Sequence, residues 1–270
     1  MRQILRKPTA SCLAGCAVVV VGLLGAASPV AAAEREVAHA YARDGATLLY
    51  TETHWRYRDQ GVGRRLVVYR CPDGAAFARK NVVDRPSASA PDFEFLDARS
   101  GYREGVRSRD GQREVFVQAS SDTAERSKPL PAREGGVIDA GFDASVRQHW
   151  QQLGGDGLRL FFLIPERFDY APVRLTSTDD AASDGRSVRR LRMTLDRWFG
   201  FIVAPIELTY ASADQRLLEF VGPGTIRDAR GRSREVRIRF PASAAVAEAA
   251  ASDEALRRDA VLPLTGRCRI

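Results

Sequence analysis

Strict alternation of apolar and polar residues constrains this chain more than any other feature. Leu49, Thr51, Thr53, Trp55 and Tyr57 alternate with Glu52, His54 and Arg56. A period of two gives a strand one buried and one solvated face, which a helix cannot do. Residues 65–71 follow behind Gly61-Val62-Gly63, and the two runs predict a hairpin. Further runs occur at 92–95 and 102–106 around Ser100-Gly101, and at 114–117 behind the tight-turn pair Asp110-Gly111. Residues 205–210 pair in pattern with 216–221, and 234–240 points Val236, Ile238 and Phe240 inward against Glu235, Arg237 and Arg239. Antiparallel strands with one buried face read this way.

Two segments break the alternation. Residues 158–164, Leu-Arg-Leu-Phe-Phe-Leu-Ile, are apolar on both faces. They predict a strand covered on both sides or lining an apolar cavity. Phe142, Val146, Trp150 and Leu153 recur at helical spacing, with Asp139 and Asp143 at the positive end and Gly154-Gly155 as the stop. They predict one amphipathic helix laid across the sheet. The Ala-rich residues 243–258 predict a second helix, on the surface. Residues 84–91, 120–133, 179–185 and 222–231 read as polar connections, and no repeat of 20–50 residues is present. The expected fold is mainly β with minor α: one curved antiparallel sheet, one covering helix and a C-terminal helix.

The first 33 residues have the order of a cleavable secretory signal: Arg2, Arg6 and Lys7, an apolar run, then Pro29-Val30-Ala31-Ala32-Ala33. The expectation is a periplasmic protein with one domain over 34–270. Cys16 follows a Leu-Ala-Gly triplet, but the apolar run continues past it, so lipid attachment there is not expected. The run also falls short of the roughly 20 residues of a spanning helix, so no membrane span is expected after processing. From Glu34 onward the chain has 38 basic and 34 acidic residues, a balance of +4 without a block of like charge. No nucleic-acid partner is expected. All basic residues except Lys7, Lys80 and Lys128 are arginine. A GC-rich genome explains that bias, and recognition of carboxylates or phosphates is the functional alternative. Cys71 and Cys268 remain after processing, and two cysteines in an exported protein read as one disulfide, with free thiols as the rival.

Catalytic constellations are weak. Asp143 and His149 are six apart and point to different helix faces. His54 stands between Glu52 and Arg56 in a row that reads as a salt network. His39 lies near the mature N-terminus and reads as mobile. No two histidines have metal-ligand spacing, so neither metal nor cofactor is expected. Ser100-Gly101 and Ser120-Ser121 lack a nucleophile elbow, and Gly222-Pro223-Gly224 lacks the strand–glycine–helix context of a phosphate cradle.

Residues 49–55, 69–74, 77–80, 139–143 and 226–228 together give the chain a resemblance to a family of exported proteobacterial proteins. That resemblance implies export and brings no activity with it. More distantly the chain is similar to the open half-barrels of periplasmic lipoprotein carriers, which hold acyl chains between a curved sheet and a helical lid. This likeness implies a binding or carrier protein for a lipid or other apolar small molecule. Its apolar surface would be Phe142, Trp150, Phe161, Phe162, Ile164 and Trp55. The alternatives are a structural module that meets an envelope protein partner, and a hydrolase using carboxylates near Glu52 and Asp97.

Overall fold

The computed structural model describes residues 33–183, 185–196, 204–241 and 252–270. The expected signal segment, Cys16 within it, and the first part of the Ala-rich helix lie outside these residues. The N-terminal meander comprises β1 Glu34–Ala42, β2 Leu48–Asp59, β3 Val62–Arg70, β4 Ala76–Val83, β5 Asp92–Asp97, β6 Tyr102–Arg109, β7 Gln112–Gln118 and β8 Arg126–Pro129. After β9 Gly136–Val137 come helix α1 Phe142–Gln148 and a second meander. It runs through β10 Leu158–Ile164, β11 Asp169–Ser183, β12 Arg186–Leu195, β13 Ile206–Ala211, β14 Leu217–Arg227 and β15 Ser233–Arg239, and helix α2 Ser252–Val261 follows.

All these strands form one sheet in the order β8 to β1, then β15 down to β9. The two meanders join where β1 pairs with β15, His39 facing Arg239 and Ala42 facing Val236. Every pairing is antiparallel except β9 with β10. The sheet is curved and not closed. Its concave face carries Tyr69, Phe95, Val115 and Val117. Leu163 and Phe168 from the other end of the strand order join that cluster, Leu163 from the face of β10 opposite to Leu160 and Phe162. The β8 side chains Arg126 and Lys128 each lie 5.4 Å from the Phe168 ring centre, which brings the two edges together without a ladder.

Both faces carry a helix. On the concave face of β10–β13, Val146 of α1 and Trp150 and Leu153 of the following 3-10 turn pack on Leu160, Val173, Leu175, Leu191 and Leu208. On the convex face, Ala255 and Leu256 of α2 and the trailing Leu262 and Leu264 cover Trp55, Leu66, Val68 and Ala76. Trp55 Nε1 donates to Asp259 at 2.9 Å, and Arg70 pairs with the same carboxylate at 2.5 Å. Arg79 donates to the Asp259 and Leu262 carbonyls at 3.2 and 2.6 Å, satisfying acceptors that a helix end leaves open. Cys71 and Cys268 form a disulfide that ties the C-terminal segment to the end of β3.

Several expectations are corrected. The segment 142–153 is not one helix: α1 stops at Gln148 and a 3-10 turn spans Trp150–Gly154. His149 leaves helical geometry (φ −105°, ψ 16°), and its ring Nδ1 lies 2.9 Å from the Ser145 carbonyl oxygen. His39 is not mobile but sits in β1, paired on both sides. That strand was hidden because its inward residues Ala38 and Ala40 are small. The connection 222–231 is strand up to Arg227. Added Cβ atoms on Gly222 and Gly224 would lie 2.9 Å from Ile206 and Val236, so glycine permits close strand packing there. Residues 179–183 belong to β11, and β8 lies within 120–133.

Candidate functional site

Cross-strand partners share a sheet face. Glu52 opposes Tyr69, Tyr69 opposes Ala78, Ala78 opposes Asp97 and Asp97 opposes Tyr102. Lys80 opposes Phe95, which opposes Glu104. These register relations turn an unusual number of charged groups into the concave interior, where Glu52, Lys80 and Asp97 are buried.

They are paired rather than stranded. Lys80 Nζ lies 2.8 Å from Asp139 and donates to Thr225 Oγ1 at 3.3 Å. Asp139 belongs to the 3-10 turn Asp139–Gly141 that leads into α1. The Tyr102 hydroxyl donates to Glu104 at 2.6 Å and accepts from Arg227 at 2.9 Å. Arg227 also reaches Glu166 at 2.6 Å and stacks 4.1 Å above the Tyr102 ring. Arg99 closes on Asp97 through two nitrogens and donates to the Arg227 carbonyl at 2.9 Å. His54 Nε2 lies 2.8 Å from Glu52.

Burial pushes the Glu104 carboxyl above its ordinary range, against the bond from Tyr102 and the charges of Arg227 and Lys80. Burial likewise pushes up the phenols of Tyr50, Tyr69 and Tyr102, with Glu52 or Glu104 adding to it. Asp139 goes the other way: burial raises it, but Lys80 and then Arg65 outweigh that and hold it low. A raised Glu104 stabilises the fold below its unfolded value near 4.3, and that contribution is lost as pH rises through the folded value. Glu104→Gln, which keeps an acceptor for Tyr102, should therefore melt above wild type at pH 7. The gap should close toward pH 4, and a gap that widens on acidification would contradict the assignment.

The apolar residues expected to form a pocket divide. Phe142 and Phe162 meet edge to face at 6.0 Å, and Trp150 meets Tyr210 at 5.9 Å, so α1, its following turn and β10 bring these three residues together. Phe161 alternates away and is capped by Arg133, 4.6 Å from its ring. Ile164 ends β10, half-buried, where Pro165 turns the chain. Trp55 is on the opposite face under α2. Glu52 and Asp97 do not form a carboxylate pair: each has its own basic partner, and Tyr69 and Ala78 stand between them in register.

Three clefts of 310, 360 and 500 Å³ lie at the β2–β3 end, on the convex side of β12–β14 and beside the disulfide. Phe142, Trp150 and Phe162 line none of these, and together they form a closed helix-on-sheet core. Among the described residues no cluster of three or more His, Cys, Asp or Glu is placed to hold a metal, and no helix is long and apolar enough to cross a membrane. Comparison with protein-family models, curated proteins and solved structures finds no match. The inward turn of Lys80, Glu104 and Arg227, and the pairing of Lys80 and Arg227 with the half-exposed Asp139 and Glu166, were absent from the sequence reading, where Asp139 was expected only at the start of a helix. Period-two parity could have placed Lys80 and Glu104 inward.

Proposed function

We propose that this chain is an exported, periplasmic binding or carrier protein that holds an apolar, lipid-like ligand under a lid formed by residues 139–154. The lid carries Phe142, Val146, Trp150 and Leu153 onto the apolar strip of β10–β13. Its way of attachment carries the reading. Gly135 and Gly157 flank it with φ of +68° and +86°, a region that few other residues enter. Three basic side chains of the sheet tether it: Lys80 to Asp139, Arg65 to the Ala140 carbonyl and Arg189 to the Trp150 carbonyl at 2.9 Å.

Lifting such a lid exposes four large apolar side chains, a cost of about 6–12 kcal/mol at 1.5–3 kcal/mol each. Only a ligand that covers the same strip offsets that cost, which selects an apolar one. The test is native mass spectrometry of protein purified from a bacterial periplasm, with titration of a fluorescent fatty acid. A co-purifying lipid and saturable binding are expected, and Trp150→Ala should weaken the probe by about tenfold or more, the loss of one buried aromatic contact. A bare mass with unchanged probe binding in folded Trp150→Ala would overturn the reading and favour an envelope interaction module.

A further inference from the structure

We propose that the 310 Å³ cleft between the β2–β3 hairpin and α1 receives an anionic head, a carboxylate or phosphate. The inference rests on the carrier reading and narrows its ligand to an anionic amphiphile. Five arginines and three carboxylates line the cleft; Arg64 pairs with Asp59 at 2.9 Å and Arg65 with the Ala140 carbonyl and Asp84, which leaves Arg56, Arg58 and Arg147 to meet a ligand. At about 30 Å³ per water, the cleft holds roughly ten waters' worth of volume. That suits a head group and leaves an acyl chain to lie elsewhere.

The arginines have donors to spare. A guanidinium carries five N–H groups in a planar fork that fits carboxylate and phosphate. Arg56 reaches Glu36 through Nη1 at 3.1 Å, and Arg58 reaches the Gly61 carbonyl through Nη2 at 2.7 Å. Arg147 reaches Asp143 through Nη2 at 2.6 Å. Among the described residues each of the three engages through that one nitrogen, which leaves further N–H donors on each for a ligand. Arg56 and Arg147 are 38% and 42% exposed in their side chains, so both are accessible to a ligand.

The cleft adjoins the lid. Asp143 and Arg147, four apart on α1, line it, while Phe142 and Val146 of the same helix lie on the apolar strip. A head in the cleft therefore places an attached chain beside the strip.

The experiment compares dodecyl phosphate, dodecanol and inorganic phosphate as competitors of the fluorescent fatty acid, in wild type and in Arg56→Gln/Arg147→Gln. Direct calorimetry with phosphate alone accompanies it. Dodecyl phosphate should bind about tenfold or more tighter than dodecanol, as expected of charge-assisted bonds. The double variant should lose that preference and keep its dodecanol affinity. Equal binding of the two amphiphiles in wild type would overturn the anionic head while leaving the carrier reading intact. Phosphate bound alone and lost in the variant, with no amphiphile bound, would retain the anion site, assign it to free phosphate and overturn the carrier reading. Binding of none of the three would overturn both.

Discussion

Cys71→Ala/Cys268→Ala should unfold with a free energy about 3–5 kcal/mol below wild type, a fall of roughly 8–15 °C in melting temperature. The bridge closes a sequence separation of 197 residues, for which loop entropy alone gives about 5 kcal/mol. Part of that is recovered because α2 also holds the C-terminal segment, through Asp259 and the leucines over Trp55. Alanine is preferred to serine because Cys71 is buried and an added hydroxyl would need a partner. The measurement is thermal unfolding by circular dichroism, with a reductant titration of wild type as the parallel arm. Trypsin should also cut the variant faster at Arg267 and Arg269 in the released segment. Equal melting temperatures would show that the α2 contacts alone suffice to hold the C-terminus.

The sheet was readable wherever large apolar residues alternate with charges, as in 49–57 and 234–240. It was unreadable where packing asks for small inward residues. In β1, Ala38 and Ala40 are fully buried opposite Glu52 and Tyr50, and the bulk that marks a strand sits on the neighbour. The second half of β14 hid behind Gly222-Pro223-Gly224, a triplet that signals a turn unless the close approach of Ile206 and Val236 is known. β8 has no buried residue to mark it. The same logic governs the site. Phe142, Trp150 and Phe162 follow from helix period and strand apolarity, local properties of the chain. Lys80 and Asp139, or Tyr102 and Arg227, meet across 59 and 125 residues, and only the sheet order makes them neighbours. Trp55, grouped with Phe142 and Trp150 as an apolar candidate, lies apart from them because β2 is buried on both faces: Tyr50 and Glu52 face the concave interior, and Trp55 faces α2.

Trp55→Ala should cost about 3–5 kcal/mol, the range for emptying the site of a fully buried tryptophan. The side chain is 1% exposed, and it packs with Leu66, Val68, Ala255, Leu256, Leu262 and Leu264. Its Nε1 bond to Asp259 is lost too, although Arg70 still neutralises that carboxylate at 2.5 Å. Trp55→Phe, which keeps much of the volume but not the bond, should cost less than Trp55→Ala. Urea unfolding midpoints decide this, and faster tryptic cutting at Arg257 and Arg258 would locate the damage at α2. The fatty-acid probe gives the contrast that matters for function. Trp55 and Trp150 are both buried, Trp55 beneath α2 and Trp150 in the turn that follows α1, and they lie on opposite faces of one sheet. Folded Trp55→Ala should bind the probe as wild type does, while Trp150→Ala should not. If Trp55→Ala instead abolishes binding and Trp150→Ala is silent, the ligand lies beneath α2, and the helix that the disulfide tethers is the lid.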